Sequence, residues 1–332
     1  MDKLALIWGD TFLYWNSIIL TLAALVSIFF FLSFYIGKCG NAVAGFAAVP
    51  LSLVLGLVAA RFFHWYCRAD SYESFTAAMT DYSSGGYALM GVFLGCFLAA
   101  LVLRILFLHR SLPQMLDCMC IAGCAGICVG RLASFFNASD RGQIVEGIQS
   151  LPFVYPVTNA VSGAVEYRLA TFVIQSAVAL LLFAGLSLFY IRGNKTGKLK
   201  EGDTCLIFLL IYGASQVILD STRYDSLFFR SNGFVSVVQV LGALGLGLAI
   251  FQFSRRMVEA RGFRFWQILL WILIGAGIGG AGFMEYYVQR RGNEAVFAYS
   301  VMSGCLLLVI CLTLLIRFLA VRAERRRQIS VG

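Results

Sequence analysis

Charge is scarce in this 332-residue chain. Asp, Glu, Lys and Arg make up 13% of it and hydrophobic residues 60%, against about 25% charged in an ordinary soluble domain. Water is therefore not its main solvent. Four prolines and no Ser/Gly-rich or Gln/Asn-rich stretch exclude a long disordered tail or linker. The polar sequence left between apolar runs is too short for a separate soluble domain. The first twenty residues do not read as a secretory signal. The first residues carry Asp2 and Asp10, and no short-residue cleavage site follows the apolar run, so the first span is expected to stay. The ten cysteines lie almost wholly inside apolar runs, with Cys67 the clear candidate for an outer face. One outer cysteine excludes a disulfide framework. Cys120, Cys124 and Cys128 form a stripe at helical spacing beside Gly123, Gly126 and Gly130, which reads as a packing face. No histidine or acid there suggests a metal.

The chain does hold long apolar runs of the length, about 20 residues, that crosses a bilayer as a helix. They cover Trp15 to Ile36, Ala42 to Phe63, Tyr87 to Leu108, Leu116 to Phe136, Leu169 to Ile191, Cys205 to Leu219, Val235 to Phe253, Phe265 to Met284 and Phe297 to Leu319. Period-two alternation, the mark of a membrane barrel, is absent. The reading is an all-α polytopic bundle of about nine spans. Lys and Arg fix its expected orientation. With the N-terminus outside and the C-terminus cytoplasmic, the inner connections hold Lys38, Arg104, Arg110, the Arg192–Lys200 group, the Arg255–Arg264 group and the Arg317–Arg327 group. That is more than half of the 26 basic residues, while most acids fall on the other side. The net charge of +9 then calls for anionic lipid headgroups and no nucleic acid. Glycines at 242, 245 and 247 and at 275, 277, 279, 280 and 282 read as helix-packing positions.

Two expected outer segments are polar. The first runs from Gly130 to Arg168 and opens with GRLASFFNASDRG, Gly130 to Gly142, which contains Arg131, Asn137, Asp140 and Arg141. YGASQVILDSTRYD runs from Tyr212 to Asp225, and its Gln216, Asp220 and Arg223 share one helix face. Ionisable groups at membrane depth face a bundle interior or a watery cavity. Two readings of Asp220 and Arg223 are open: a structural ion pair, or a site for an anionic headgroup, whose phosphate suits guanidinium forks.

The first string resembles the signature of the prolipoprotein diacylglyceryl transferase family, Gly-Arg-Ile-Gly-Asn-Phe-Ile-Asn-Gly-Glu-x-x-Gly. YGASQVILDSTR resembles that family's Tyr-Gly-x-x-Arg-Phe-x-x-Glu-Phe-x-Arg. FVSVVQVLG from Phe234 and SGGYALMGVFLG from Ser84 are similar to two of its helix starts, and VEYRLAT (Val165 to Thr171) faintly to a further one. The resemblance implies a core over residues 1–255, with 256–332 adding two spans and a basic tail. It implies transfer of diacylglycerol from phosphatidylglycerol to the lipobox cysteine of a secreted precursor, without a cofactor or metal, in a bacterial plasma membrane. Arg131, Asn137, Gly142, Tyr212, Gln216 and Arg223 are the implied substrate-binding positions. Asp220, Asp140 and His64 are the candidates for catalytic roles. Ser84, Ser134, Ser139 and Gln216 depart from the pattern, standing where the family has His, Asn, Glu and Arg. His64, between Phe63 and Trp65, reads alternatively as an interfacial aromatic-belt residue, and Asp140 as a loop acid. The alternatives in function are a non-catalytic phospholipid-binding scaffold and, more remotely, a small-solute transporter, for which no matched pair of broken helices is visible.

Overall fold

In the computed structural model the described residues are 4–8, 11–81, 85–106, 111–137, 141–145, 153–158, 163–197, 199–229, 232–291 and 294–331. A hairpin of β1 (Leu4–Trp8) and β2 (Thr11–Tyr14) leads directly into α1 (Trp15–Cys39). Gly40, in the left-handed region at φ +65°, ends α1 by donating its N–H to the Ile36 carbonyl at 2.9 Å. Asn41 then starts α2 (Ala42–Cys67), its Oδ1 accepting the Ala44 N–H at 3.0 Å. A short α3 (Phe75–Thr80) and α4 (Leu89–Ile105) follow. Next come α5 (Leu112–Arg131), with proline in its first turn, and a 3-10 turn at Leu132–Phe135. The hairpin β3 (Val154–Thr158) and β4 (Val165–Leu169) precedes α6 (Thr171–Lys195) and α7 (Asp203–Ser221). A last hairpin, β5 (Phe228–Phe229) and β6 (Asn232–Ser236), opens α8 (Val237–Arg261), and α9 (Phe265–Arg291) and α10 (Ala295–Val331) complete the chain.

Among the described residues eight helices are long and apolar enough to cross a membrane: α1, α2, α5 with its 3-10 extension, α6, α7, α8, α9 and α10. The run expected as the third span holds α4, an apolar helix of 17 residues that is shorter than these eight. The protein is thus an all-α polytopic membrane bundle, and three small hairpins decorate its connections.

The chain packs as two units: Met1–Cys205 with Thr222–Val238, and Leu206–Ser221 with Gln239–Gly332. In the first, α2 lies on α4 and α5 is flanked by α1 and α6. Small residues permit this. A Cβ on Gly91 or Gly95 would strike the α2 backbone at Ala60 or Gly56, so these helices meet main chain to main chain. The cysteine stripe of α5 packs as expected. Cys124 is buried, Gly126 rests on Ser27 of α1, and Ser176 of α6 donates to the Cys128 carbonyl at 2.6 Å. Asp117, buried in α5, caps the start of α7 by accepting the N–H groups of Gly202 and Cys205, both at 2.7 Å. These N–H groups have no intrahelical acceptor, so the carboxylate satisfies what a membrane interior would leave unpaired.

In the second unit α9 packs along α10. Gly277 abuts Val309 and Gly280 abuts the Cys305 sulfur, with an added Cβ 2.7 and 3.0 Å away, whereas Gly275, Gly279 and Gly282 meet nothing within 4 Å. Only part of the glycine run is a contact. Gly213 of α7 presses on the Gly242 carbonyl of α8, and Gly242 lies beside Gln216.

Candidate functional site

The signature motif does not end in a loose loop. Residues 141–145 run as a short extended segment between two neighbours of the first unit. On one side Gly142 N–H donates to the Leu169 carbonyl at 2.9 Å and Val145 N–H to the Tyr167 carbonyl at 2.8 Å. On the other, Gln143 N–H donates to the Thr222 carbonyl, and Tyr224 N–H to that of Arg141, both at 2.9 Å. Gly142 is therefore bridged directly to Arg223, and Ile144 to Arg168. Three segments far apart in sequence meet here. Glycine is required at 142 by space: a Cβ would lie 2.5 Å from the Leu169 carbonyl oxygen, 2.6 Å from its Cβ and 2.8 Å from Thr171 Oγ1. Thr171 and Thr222 also share a hydroxyl contact at 3.2 Å.

Guanidinium groups gather on this small sheet. Arg223 pairs with Asp225, Nε and Nη2 donating to Oδ1 at 3.1 and 3.0 Å. Arg168 pairs with Glu166 at 3.0 and 2.7 Å, donates to the Gly142 carbonyl at 3.4 Å, and lies 4.9 Å over the Tyr224 ring. Both arginine side chains are largely buried, 11% and 12% exposed. Arg141 has a buried Nε, and Tyr155 of β3 a buried hydroxyl, with no hydrogen-bond partner among the described residues. Burial pushes the Tyr155 phenol above its ordinary value, while the charges of Arg141 and Arg168 pull it the other way. The sheet thus carries three cations and two acids around one glycine.

Arg131 is the last residue of α5, and the 3-10 turn after it leads through the buried Ser134 to Asn137. Phe136 stacks on Trp15 at 5.8 Å, tying this end to the start of α1. Arg131 and Asn137 lie on the segment that enters the Gly142 sheet, and both are half-buried.

His64 stands in the last turn of α2, its Nδ1 2.8 Å from the Tyr72 hydroxyl. It lies against the Gly85–Gly86 turn: a Cβ on Gly86 would be 2.7 Å from His64 Cε1. Both glycines have positive φ, +69° and +83°, a region that glycine alone enters cheaply. One turn of α2 away from His64, Arg61 is 1% exposed and holds this connection from within. It donates to the carbonyls of Ala78, Asp81, Gly85 and Gly86, between the rings of Tyr72 and Tyr87 at 5.0 and 5.5 Å. The hairpin strand β5 packs on α2 as well. Arg61 lies inside an apolar run, where hydropathy conceals it. Its outward signal is an arginine one turn before the polar end of a span.

Tyr212, Gln216 and Asp220 all lie on α7 in the second unit and are buried, 4%, 1% and 1% exposed. Asp140, with Ser84 and Ser139, lies outside the described residues.

The extended Gly142 segment, with arginines on both sides, thus belongs to a polytopic membrane bundle. The family model described as prolipoprotein diacylglyceryl transferase matches residues 3–253, and the chain belongs to that family. It is similar to a phosphatidylglycerol–prolipoprotein diacylglyceryl transferase of Streptococcus pneumoniae, 29% identical over 210 residues, 61% of this chain and 76% of that one. A protein of the same name from Streptococcus sanguinis is 25% identical over 214 residues, covering 63% and 79%.

Proposed function

We propose that the protein is a multi-pass diacylglyceryl transferase of a bacterial plasma membrane, taking phosphatidylglycerol as donor and the lipobox cysteine of a secreted precursor as acceptor. The cysteine sulfur forms a bond to the terminal glycerol carbon of the diacylglycerol unit. The bond from that carbon to the phosphate oxygen breaks, and glycerol phosphate leaves with the electron pair while the thiol proton passes to a base. The chemistry demands cations that hold a phosphate as its charge grows and a group that takes the thiol proton.

Arg131 and Arg223 hold the phosphate, with Arg168 as a third cation beside Gly142. Asn137 and Gly142 shape the segment that presents them. Tyr212, Gln216 and Asp220 of α7 are further residues assigned to the substrate, Asp220 by orienting an arginine. His64, steadied through Nδ1 by Tyr72, takes the thiol proton, and Asp140 of the signature is the alternative base. The expected topology sets this chemistry on the outer face, where the precursor emerges.

One observation carries the reading most: the Gly142 segment of the family signature lies hydrogen-bonded between the segments of Arg168 and Arg223, within a family match that spans residues 3–253. The substitutions at Ser84, Ser134, Ser139 and Gln216 favour a second reading, a phospholipid-binding scaffold without turnover. Expression in cells depleted of their own transferase separates the two. Transfer predicts that a lipobox precursor gains a diacylglyceryl group on its cysteine. A scaffold predicts copurifying phospholipid, lost in Arg131→Ala, and no lipidated precursor.

A further inference from the structure

The two helices beyond residue 253, where the family match ends, carry polar groups that an apolar bundle does not need. Glu285 of α9 is 6% exposed and Gln239 of α8 4%. Glu285 Oε1 accepts from Gln239 Nε2 at 3.0 Å and from Gln289 Nε2 at 2.7 Å. The same Gln239 Nε2 donates to the Val217 carbonyl of α7 at 3.0 Å. From α10, the Tyr299 hydroxyl donates to the Ser221 carbonyl and contacts the Ser221 hydroxyl, both at 3.2 Å. All four helices belong to one packed unit. Their polar contacts converge on the last turn of α7, the stretch that bears Gln216 and Asp220 and that runs in sequence straight into Thr222 and Arg223.

A carboxylate at membrane depth is costly, and such residues mark function more often than stability. Glu285 has no stabilising excess to offer: its second oxygen is buried without a hydrogen-bond partner among the described residues. What Glu285 does provide is direction. A helix end leaves its last four carbonyls without intrahelical donors; in α7 one of these, Ser221, receives a donor from α10, and the Val217 carbonyl just before them receives an added donor from α8. The Gln239 amide is aimed at Val217 because Glu285 accepts from it.

We infer that Glu285 and Tyr299 are positioning residues which brace the end of α7, so that the C-terminal helix pair is a working part of the transfer site in this chain. The inference deepens the transferase reading and rests on it for its effect on rate. It names a role for residues that the family match does not include. The brace acts on α7 order, so it is readable without turnover.

The test compares Glu285→Leu, Glu285→Gln and Tyr299→Phe with a lipid-facing control, Phe283→Ala, in the full chain reconstituted with phosphatidylglycerol. Two quantities are read: amide hydrogen exchange over residues 216–221, and kcat and KM for transfer to a lipobox peptide. Glu285→Leu and Tyr299→Phe are expected to speed exchange there by about tenfold or more and to lower kcat by a similar factor with KM little changed. Glu285→Gln keeps the acceptor oxygen and is expected to stay near wild type in both. Unaltered exchange in both Glu285→Leu and Tyr299→Phe would overturn the brace, as would Glu285→Gln behaving like Glu285→Leu. If Glu285→Leu fails to insert, Tyr299→Phe, which removes one hydroxyl, decides. Absence of transfer by the wild type would sink the transferase reading, and the exchange comparison would still judge the brace.

Discussion

Replacing Gly142 by alanine adds one methyl group at the most crowded point of the arginine-bearing sheet. Its Cβ would lie 2.5 Å from a backbone oxygen, 2.6 Å from the Leu169 Cβ and 2.8 Å from Thr171 Oγ1, none of which is the free end of a flexible side chain. The segment has to move, and the movement breaks the 2.9 Å bond from Gly142 N–H to Leu169. Overpacking costs about 1–3 kcal/mol and a lost hydrogen bond about 1 kcal/mol. At about 1.4 kcal/mol per factor of ten, the ordered arrangement of Arg168, Gly142 and Arg223 falls by about two orders of magnitude relative to displaced ones. The assay is diacylglycerol transfer to a lipobox peptide, read with the yield of inserted protein and the exchange of the amides of 142, 143, 145 and 169. Gly123→Ala is the control, since a Cβ there meets nothing within 4 Å. Gly142→Ala is expected to lose about a hundredfold in rate at normal yield, with faster exchange on both sides of the segment. A rate and an exchange pattern equal to wild type would refute the reasoning that Gly142 sets this sheet.

Other outcomes follow from the same geometry. Asp117→Ala removes the cap that satisfies Gly202 and Cys205 and is expected to cost about 1–3 kcal/mol, lowering the thermal midpoint in detergent; Asp117→Asn, which keeps an acceptor, loses less. Asp225→Asn weakens the hold on Arg223 by about 1.5 kcal/mol. Its kcat for transfer should fall about tenfold while KM for phosphatidylglycerol does not rise. Tyr155 ionises at higher pH in the folded protein than its ordinary 10.0, because burial opposes the phenolate. Folded and unfolded chains bind the same proton below that value, so its effect on stability is absent there. As pH climbs from 10.0 toward the folded value, the unfolded chain alone releases the proton and stability drops. Tyr155→Phe should flatten that alkaline decline in a denaturation series.

Hydropathy made the membrane architecture legible, because a bilayer demands apolar runs of fixed length and the chain supplies them. The crossing at Gly242 was legible too, among the glycines at helical spacing that read as packing positions. The hairpins were not. Strands such as Val154–Thr158 and Val165–Leu169 are five residues each, too short for alternation to stand out beside spans four or five times longer. The polar centre was half visible. The motif strings marked Arg131, Gly142 and Arg223, yet Asp225, two residues on, also holds Arg223, a local turn contact that helical spacing does not describe. Arg168 reaches Gly142 only through the pairing of segments distant in sequence. Arg61 is hidden by its own apolar helix, and its partners are backbone carbonyls, which leave no trace in side-chain pattern. His64 meets Gly86 through the packing of α2 on the turn before α4, again a tertiary fact.

The account stands or falls on whether the purified protein makes a thioether. Reconstituted in phosphatidylglycerol vesicles with a lipobox peptide, it is predicted to yield peptide heavier by one diacylglyceryl group and an equal amount of glycerol phosphate, neither appearing when the peptide cysteine is replaced by serine. Correctly inserted protein that leaves both the peptide and the lipid unchanged would contradict it.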